Sequence, residues 1–138
     1  MSKNIFISYK FDDAELVRTL PSWFQRNGGR CEGTPIFVDP TIPPGGTNAI
    51  DEKILRTMEN CAAVLFVVGD NNHNSPWINR EAKIAISLPR PITAVQLEGS
   101  TGGLPNELKN LNQQIELLEW GPRNLCDVLN KIQPPAPR

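Results

Sequence analysis

The chain alternates short, nearly continuous apolar runs with longer segments in which apolar residues recur at helical spacing. NIFISY at 4–9 reads as a buried strand. In DDAELVRTLPSWFQRNGG the residues Leu16, Leu20, Trp23 and Phe24 share a helical stripe. Asp12 and Glu15 fit a capping box, Gly28 and Gly29 stop the helix, and Pro21 kinks or divides it. PIFV at 35–38 predicts a second strand, and DPTIPPGGT at 39–47, crowded with Pro and Gly, predicts a non-helical loop. NAIDEKILRTMEN at 48–60 places Ile50, Ile54 and Met58 on one helix face. CAAVLFVVG at 61–69 is the most apolar stretch and fits a central parallel strand. Ser75 then serves as N-cap with Pro76 at the first helical position, and the helix runs to about Leu88. ITAVQL at 92–97 predicts a fourth strand, GSTGG a flexible connector, and LPNELKNL a short helix. QIELLEW at 114–120 is a fifth strand or extended edge, and PRNLCDVLNKI at 122–132 closes the chain as a helix.

This strict alternation predicts an α/β fold, a flavodoxin-like three-layer sandwich. Its five-stranded parallel sheet takes the order 2-1-3-4-5, with helices on both faces. A single domain spans 1–133 and a loose tail 134–138. In that order a crevice opens beyond the carboxyl ends of strands 1 and 3. Ser8, Tyr9, Lys10 and Phe11 follow strand 1, residues 69–77 follow strand 3, and Asp39 with the PPGG loop, Gly46 included, follows strand 2. Trp77 and Glu81 lie four residues apart, hence on one face of the helix that leaves the switch-point strand. Both are expected to face the crevice.

Composition narrows the chemistry. Fourteen basic against fifteen acidic residues leave no basic stripe, so nucleic acid is not an expected partner. The longest apolar run is too short to span a bilayer, and the N-terminus enters a strand without a signal-peptide core, so a cytoplasmic location is expected. Three scattered cysteines, Cys31, Cys61 and Cys126, suggest neither a disulfide framework nor a metal set. With His73 as the single histidine, a Ser-His-Asp triad and a zinc site are poor fits. No phosphate loop or dinucleotide fingerprint is present.

What the crevice does offer is two acids, Glu81 and Asp39, and three aromatics, Trp77, Tyr9 and Phe11. The hydroxyls of Ser8 and Ser75, the amides of Asn71, Asn72 and Asn74, and Lys10 join them. Aromatics beside hydroxyls and a carboxylate suit a nucleoside, whose base stacks and whose ribose bonds the acid. A fixed anion near a ribose also suits cleavage at the anomeric carbon, which passes through an oxocarbenium-like cation.

FISY closing the first strand, IFVD with PPGGTNAI after it, CAAVLFVVG, and SPWINRE together resemble a Toll/interleukin-1 receptor (TIR) domain. The resemblance covers roughly residues 4–97, and its Ser-x-Trp-x-x-x-Glu signature falls on Ser75, Trp77 and Glu81. The short form looks most like bacterial TIR-like antiphage defence proteins of the Thoeris type. The resemblance implies an NAD+-consuming enzyme with NAD+ as substrate and no separate cofactor. Glu81 would be catalytic. Ser8, Tyr9, Lys10, Phe11, Asp39, Gly46 and Trp77 would bind substrate. It also implies a cyclic ADP-ribose isomer or related product, an effector that this product activates, and TIR self-assembly. This chain departs from the family in its proline-rich PTIPPGG loop, in Asp39 with no Arg before it, and in Ile78 where many members carry Cys.

Each residue also has an ordinary structural reading. Glu81 fits a solvated helix face, Trp77 and Tyr9 fit core packing, Ser75 an N-cap, Asp39 a turn, His73 a loop and Cys126 a core thiol. Three functions stay open at this point: an NAD+ glycohydrolase or cyclase, a non-catalytic TIR interaction module, and a related nucleoside ribosyl-transfer enzyme. The presence of Glu81 favours the first over the second.

Overall fold

The structure is a computed structural model of the chain. It describes residues 4–9, 34–36, 38, 46–70, 76–97, 99–109, 115, 117–121, 126, 127, 130 and 131. Five parallel strands, β1 (Asn4–Ser8), β2 (Thr34–Ile36), β3 (Ala63–Val68), β4 (Ile92–Gln96) and β5 (Leu117–Leu118), form one sheet in the order β2-β1-β3-β4-β5. The expected topology is therefore the observed one. Every residue of β3 is buried, as a central strand covered on both faces requires. Its register sets Ser8 of β1 beside Phe66, and Val68 beside Gln96 of β4.

The period of the strands divides the core in two. Ile5, Ile7 and Tyr9 of β1 join Leu65, Val67 and Val95 on one face, with Cys126, Leu118 and Trp120 packed there. Phe6 points the other way, toward Val64, Phe66 and Val68. Helix α1 (Gly46–Glu59) covers this second face with Ile50, Ile54 and Met58, the stripe expected from spacing. Helix α2 (Pro76–Ile86) lies beside α1 and contributes Ile78, Ala82 and Ala85. The short α3 (Asn106–Lys109) adds Leu108.

Several boundaries differ from expectation. Helix α1 begins at Gly46, inside the segment expected to be non-helical. The first turn needs no intrahelical N–H bonds, so a glycine costs little there. Strand β2 starts one residue early, and β5 is described at Leu117–Leu118. GSTGG is not a loose connector: Asp70 accepts hydrogen bonds from the Thr101 amide (2.9 Å) and from the Ser100 and Thr101 hydroxyls (both 3.3 Å). Cys126 lies in the core as expected, but it is disulfide-bonded where no bridge was expected, while Cys61 is free. Residues 126, 127, 130 and 131 are helical, inside the expected closing helix. The helix expected after strand 1 and residues 39–45 of the Pro-Gly loop lie outside the described residues. No helix among the described residues is long and apolar enough to cross a membrane.

Candidate active site

Helix α2 starts on Pro76, whose fixed φ and missing N–H suit a first helical position. From there its buried positions are Ile78, Glu81, Ala82 and Ala85, a three-and-four spacing that defines one face against the sheet. Glu81 thus sits in the middle of an apolar stripe, with 1% of its surface exposed. The solvated-face reading of this residue does not hold. Ser8, the last residue of β1, is fully buried, and its hydroxyl donates to Glu81 Oε1 at 2.9 Å. Strand alternation explains this placement: Ser8 follows Phe6 by two residues and so shares its face, the one that α1 and α2 cover. Ser8 and Glu81 are the buried polar or charged residues among those described, and they bond each other.

Burial pushes the Glu81 carboxyl well above the usual carboxylate range. The Ser8 hydroxyl, and to a smaller extent the Trp77 indole, pull it partway back. The indole stands one turn before Glu81 on α2 and is half-buried. Trp77 Nε1 and Glu81 Oε2 are each buried without a hydrogen-bond partner among the described residues. An unmet donor and an unmet acceptor in one place are what a ligand hydroxyl satisfies, since it both accepts and donates.

Beyond β3 and β4 the chain closes tightly. A Cβ on Gly102 would lie 1.8 Å from the Gly69 carbonyl oxygen, and Gln96 Nε2 donates to Gly102 O at 3.2 Å. On the outer side of α2, Arg80 pairs with Asp51 of α1 at 2.7 Å, and Asn79 Oδ1 accepts the Glu107 amide of α3 at 3.0 Å. These contacts hold the helix that carries Glu81 against both neighbours.

A family model described as a TIR domain matches residues 5–127. The chain belongs to the TIR domain family. No curated protein matches this TIR domain. Among solved structures, it is similar to the TIR domain of the Toll-related receptor TRR-2 from Hydra magnipapillata. That likeness has 20% identity, a TM-score of 0.57 and 94% coverage of each chain. A second similarity is to the TIR domains of the activated Roq1 resistosome, which directly recognises the pathogen effector XopQ. It has 16% identity and a TM-score of 0.49, covering 70% of this chain and 58% of that one. At such identities the first likeness speaks to the fold alone.

Within the TIR frame, the structure brings Ser8, Trp77 and Glu81 together at the carboxyl end of β1. Tyr9 is buried in the core of the opposite face, so its ring does not join them. Gly46 is the first residue of α1. Lys10, Phe11, Asp39, Ser75, His73, Asn71, Asn72 and Asn74 lie outside the described residues. Sequence reasoning missed Asp70, which ties the loop after β4 to the end of β3. An Asp directly after a strand was the available signal, but its partners come 30 and 31 residues later.

Proposed function

We propose that this TIR domain cleaves NAD+ at the nicotinamide–ribose bond, with Glu81 as the catalytic carboxylate. One observation carries the reading: a carboxyl with an unbonded oxygen occupies a core position on α2, where an aliphatic side chain would pack at lower cost. Strongly perturbed acids of this kind gather at reactive sites.

The chemistry follows from charge. The glycosidic C–N bond breaks, and nicotinamide leaves as a neutral base with the bonding electron pair. The ribosyl carbon becomes an oxocarbenium-like cation, and a fixed carboxylate beside it lowers the barrier. In the free protein, burial favours the neutral acid. The positive nicotinamide ring of bound substrate reverses that preference, because a nearby opposite charge favours the anion. Water capturing the cation gives ADP-ribose and a proton, and capture by a ring nitrogen of the adenine gives a cyclic isomer. Trp77 shapes the site, and a ribose hydroxyl meets its Nε1 and Glu81 Oε2. Lys10, Phe11, Asp39 and Gly46 take substrate-binding roles by the family resemblance, and Tyr9 enters through its backbone. By the same resemblance the product is a cyclic ADP-ribose signal that activates an effector in Thoeris-type antiphage defence.

Purified protein with NAD+ is expected to release nicotinamide. Glu81→Gln is expected to lower the rate on the order of 10²–10³-fold while the domain stays folded. Equal turnover by parent and variant overturns the assignment. A product lighter than ADP-ribose by one water marks cyclisation.

A further inference from the structure

We propose that Ser8 is a positioning residue: its hydroxyl holds Glu81 Oε1 and so presents Oε2 to the ligand. What Oε2 then does rests on the NAD+-cleaving reading above. What Ser8 does rests on the geometry.

Three observations carry it. Ser8 is fully buried, and its hydroxyl is already committed to Oε1 at 2.9 Å. The rest of the surrounding core is apolar: Phe6 on β1, Phe66 and Val68 on β3, Ile50 and Ile54 on α1, Ile78, Ala82 and Ala85 on α2, and Leu108 on α3. The Ser8 hydroxyl is the hydrogen-bond donor that reaches Oε1 of this flexible side chain. Finally, with Oε1 fixed, the oxygen left unbonded is Oε2, and the unbonded indole Nε1 of Trp77 accompanies it.

The charged groups of the neighbouring helices stand elsewhere. Asp51 and Arg80 are paired to each other on the outer side of α1 and α2, and Lys83 lines the same outer groove with Glu107 of α3. Strands β1 and β3 carry no ionisable residue. Ser8 and the Trp77 indole are the groups that favour the Glu81 anion. The Ser8–Glu81 bond therefore fixes the direction of the carboxyl and opposes the burial that raises its proton affinity.

The experiment titrates carbon-13 labelled glutamate carboxyls by NMR, with the Glu81 signal assigned by its loss in Glu81→Gln. Parent, Ser8→Ala and Ser8→Thr are compared, and nicotinamide release from NAD+ is measured across the same pH range. Removing a hydrogen bond to the charged form is expected to raise the Glu81 midpoint in Ser8→Ala by about one pH unit. The acid limb of the kcat profile moves with it, and KM stays unchanged. Ser8→Thr, which keeps a hydroxyl, restores the parent midpoint. Should Ser8→Ala not fold, Ser8→Cys, with its weak donor, is expected to give the same upward shift. An unmoved midpoint overturns the proposal, as does a raised KM at unchanged kcat, which would make Ser8 a substrate contact. A parent that turns over no NAD+ overturns the enzymatic reading, and the NMR midpoint then decides Ser8 by itself.

Discussion

A carboxyl group carried onto an apolar helix face exchanges bulk water for the hydrogen bonds that the fold supplies, and Glu81 receives one, from Ser8. Its proton affinity rises accordingly, and that makes folding stability depend on pH. Because the folded-state pKa is raised, the favourable contribution is fully present below the unfolded value of 4.5. It is lost as pH rises through the folded value. Each unit of elevation removes ~1.4 kcal/mol at the alkaline end. The melting temperature is therefore expected to fall across this window in the parent and to stay flatter in Glu81→Gln, whose amide is neutral throughout. At the alkaline end the variant is expected to be the more stable of the two. Thermal melts of both proteins from pH 4.5 upward check this, and parallel curves would show that the carboxyl is solvated. A site that gains stability when its acid is removed is one whose acid serves something other than folding.

Elements carry that residue to its place, and their ends are fixed by individual contacts. Arg90 donates from Nη2 to Glu59 O (2.9 Å), the last carbonyl of α1, and from Nε to Cys61 O (2.8 Å) just beyond it, a cation that suits the helix dipole. Burial pushes the Cys61 thiol up to about 11 although Arg90 opposes the shift, so Cys61 is an inert core thiol. The loop after β4 depends on backbone contact: Gly102 sits where any Cβ meets the Gly69 carbonyl, whereas a Cβ on Gly121 meets nothing within 4 Å. Gly102→Ala is expected to cost about 1–3 kcal/mol, as overpacking does, and Gly121→Ala less than about 0.5 kcal/mol. Urea unfolding of the pair measures the difference, and equal midpoints would mean that the loop opens freely. This contrast was invisible in GSTGG itself, where loop composition reads as flexibility. The strands and helices were legible because periods of two and of three-to-four are local properties. Trp77 and Glu81 were legible for the same reason. The Ser8–Glu81 bond spans 73 residues, and no periodicity reports a contact at that distance.

For the whole molecule, the parallel sheet separates two cores that are closed by different parts of the chain. The face holding Ser8 and Glu81 is covered by α1 and α2 from the middle of the sequence. Among the described residues, Trp120, Leu118 and Cys126 near the C-terminus pack on the opposite face with Tyr9 and Leu65. Scattered cysteine spacing gave no hint of a bridge, because a disulfide between distant segments depends on the fold that brings them together. Yet Cys126 is bridged. Such a cross-link contributes roughly 2–4 kcal/mol by restricting the unfolded chain, and it persists where surroundings are oxidising. In protein denatured without reductant, the Cys126 peptide is expected to escape alkylation until reductant is added, while Cys61 alkylates once unfolding exposes it. Reductant is expected to lower the melting temperature of the native protein. Alkylation of Cys126 in the unreduced sample would show the bridge absent. Because that core lies across the sheet from Glu81, opening the bridge is expected to change stability far more than the chemistry on the other face.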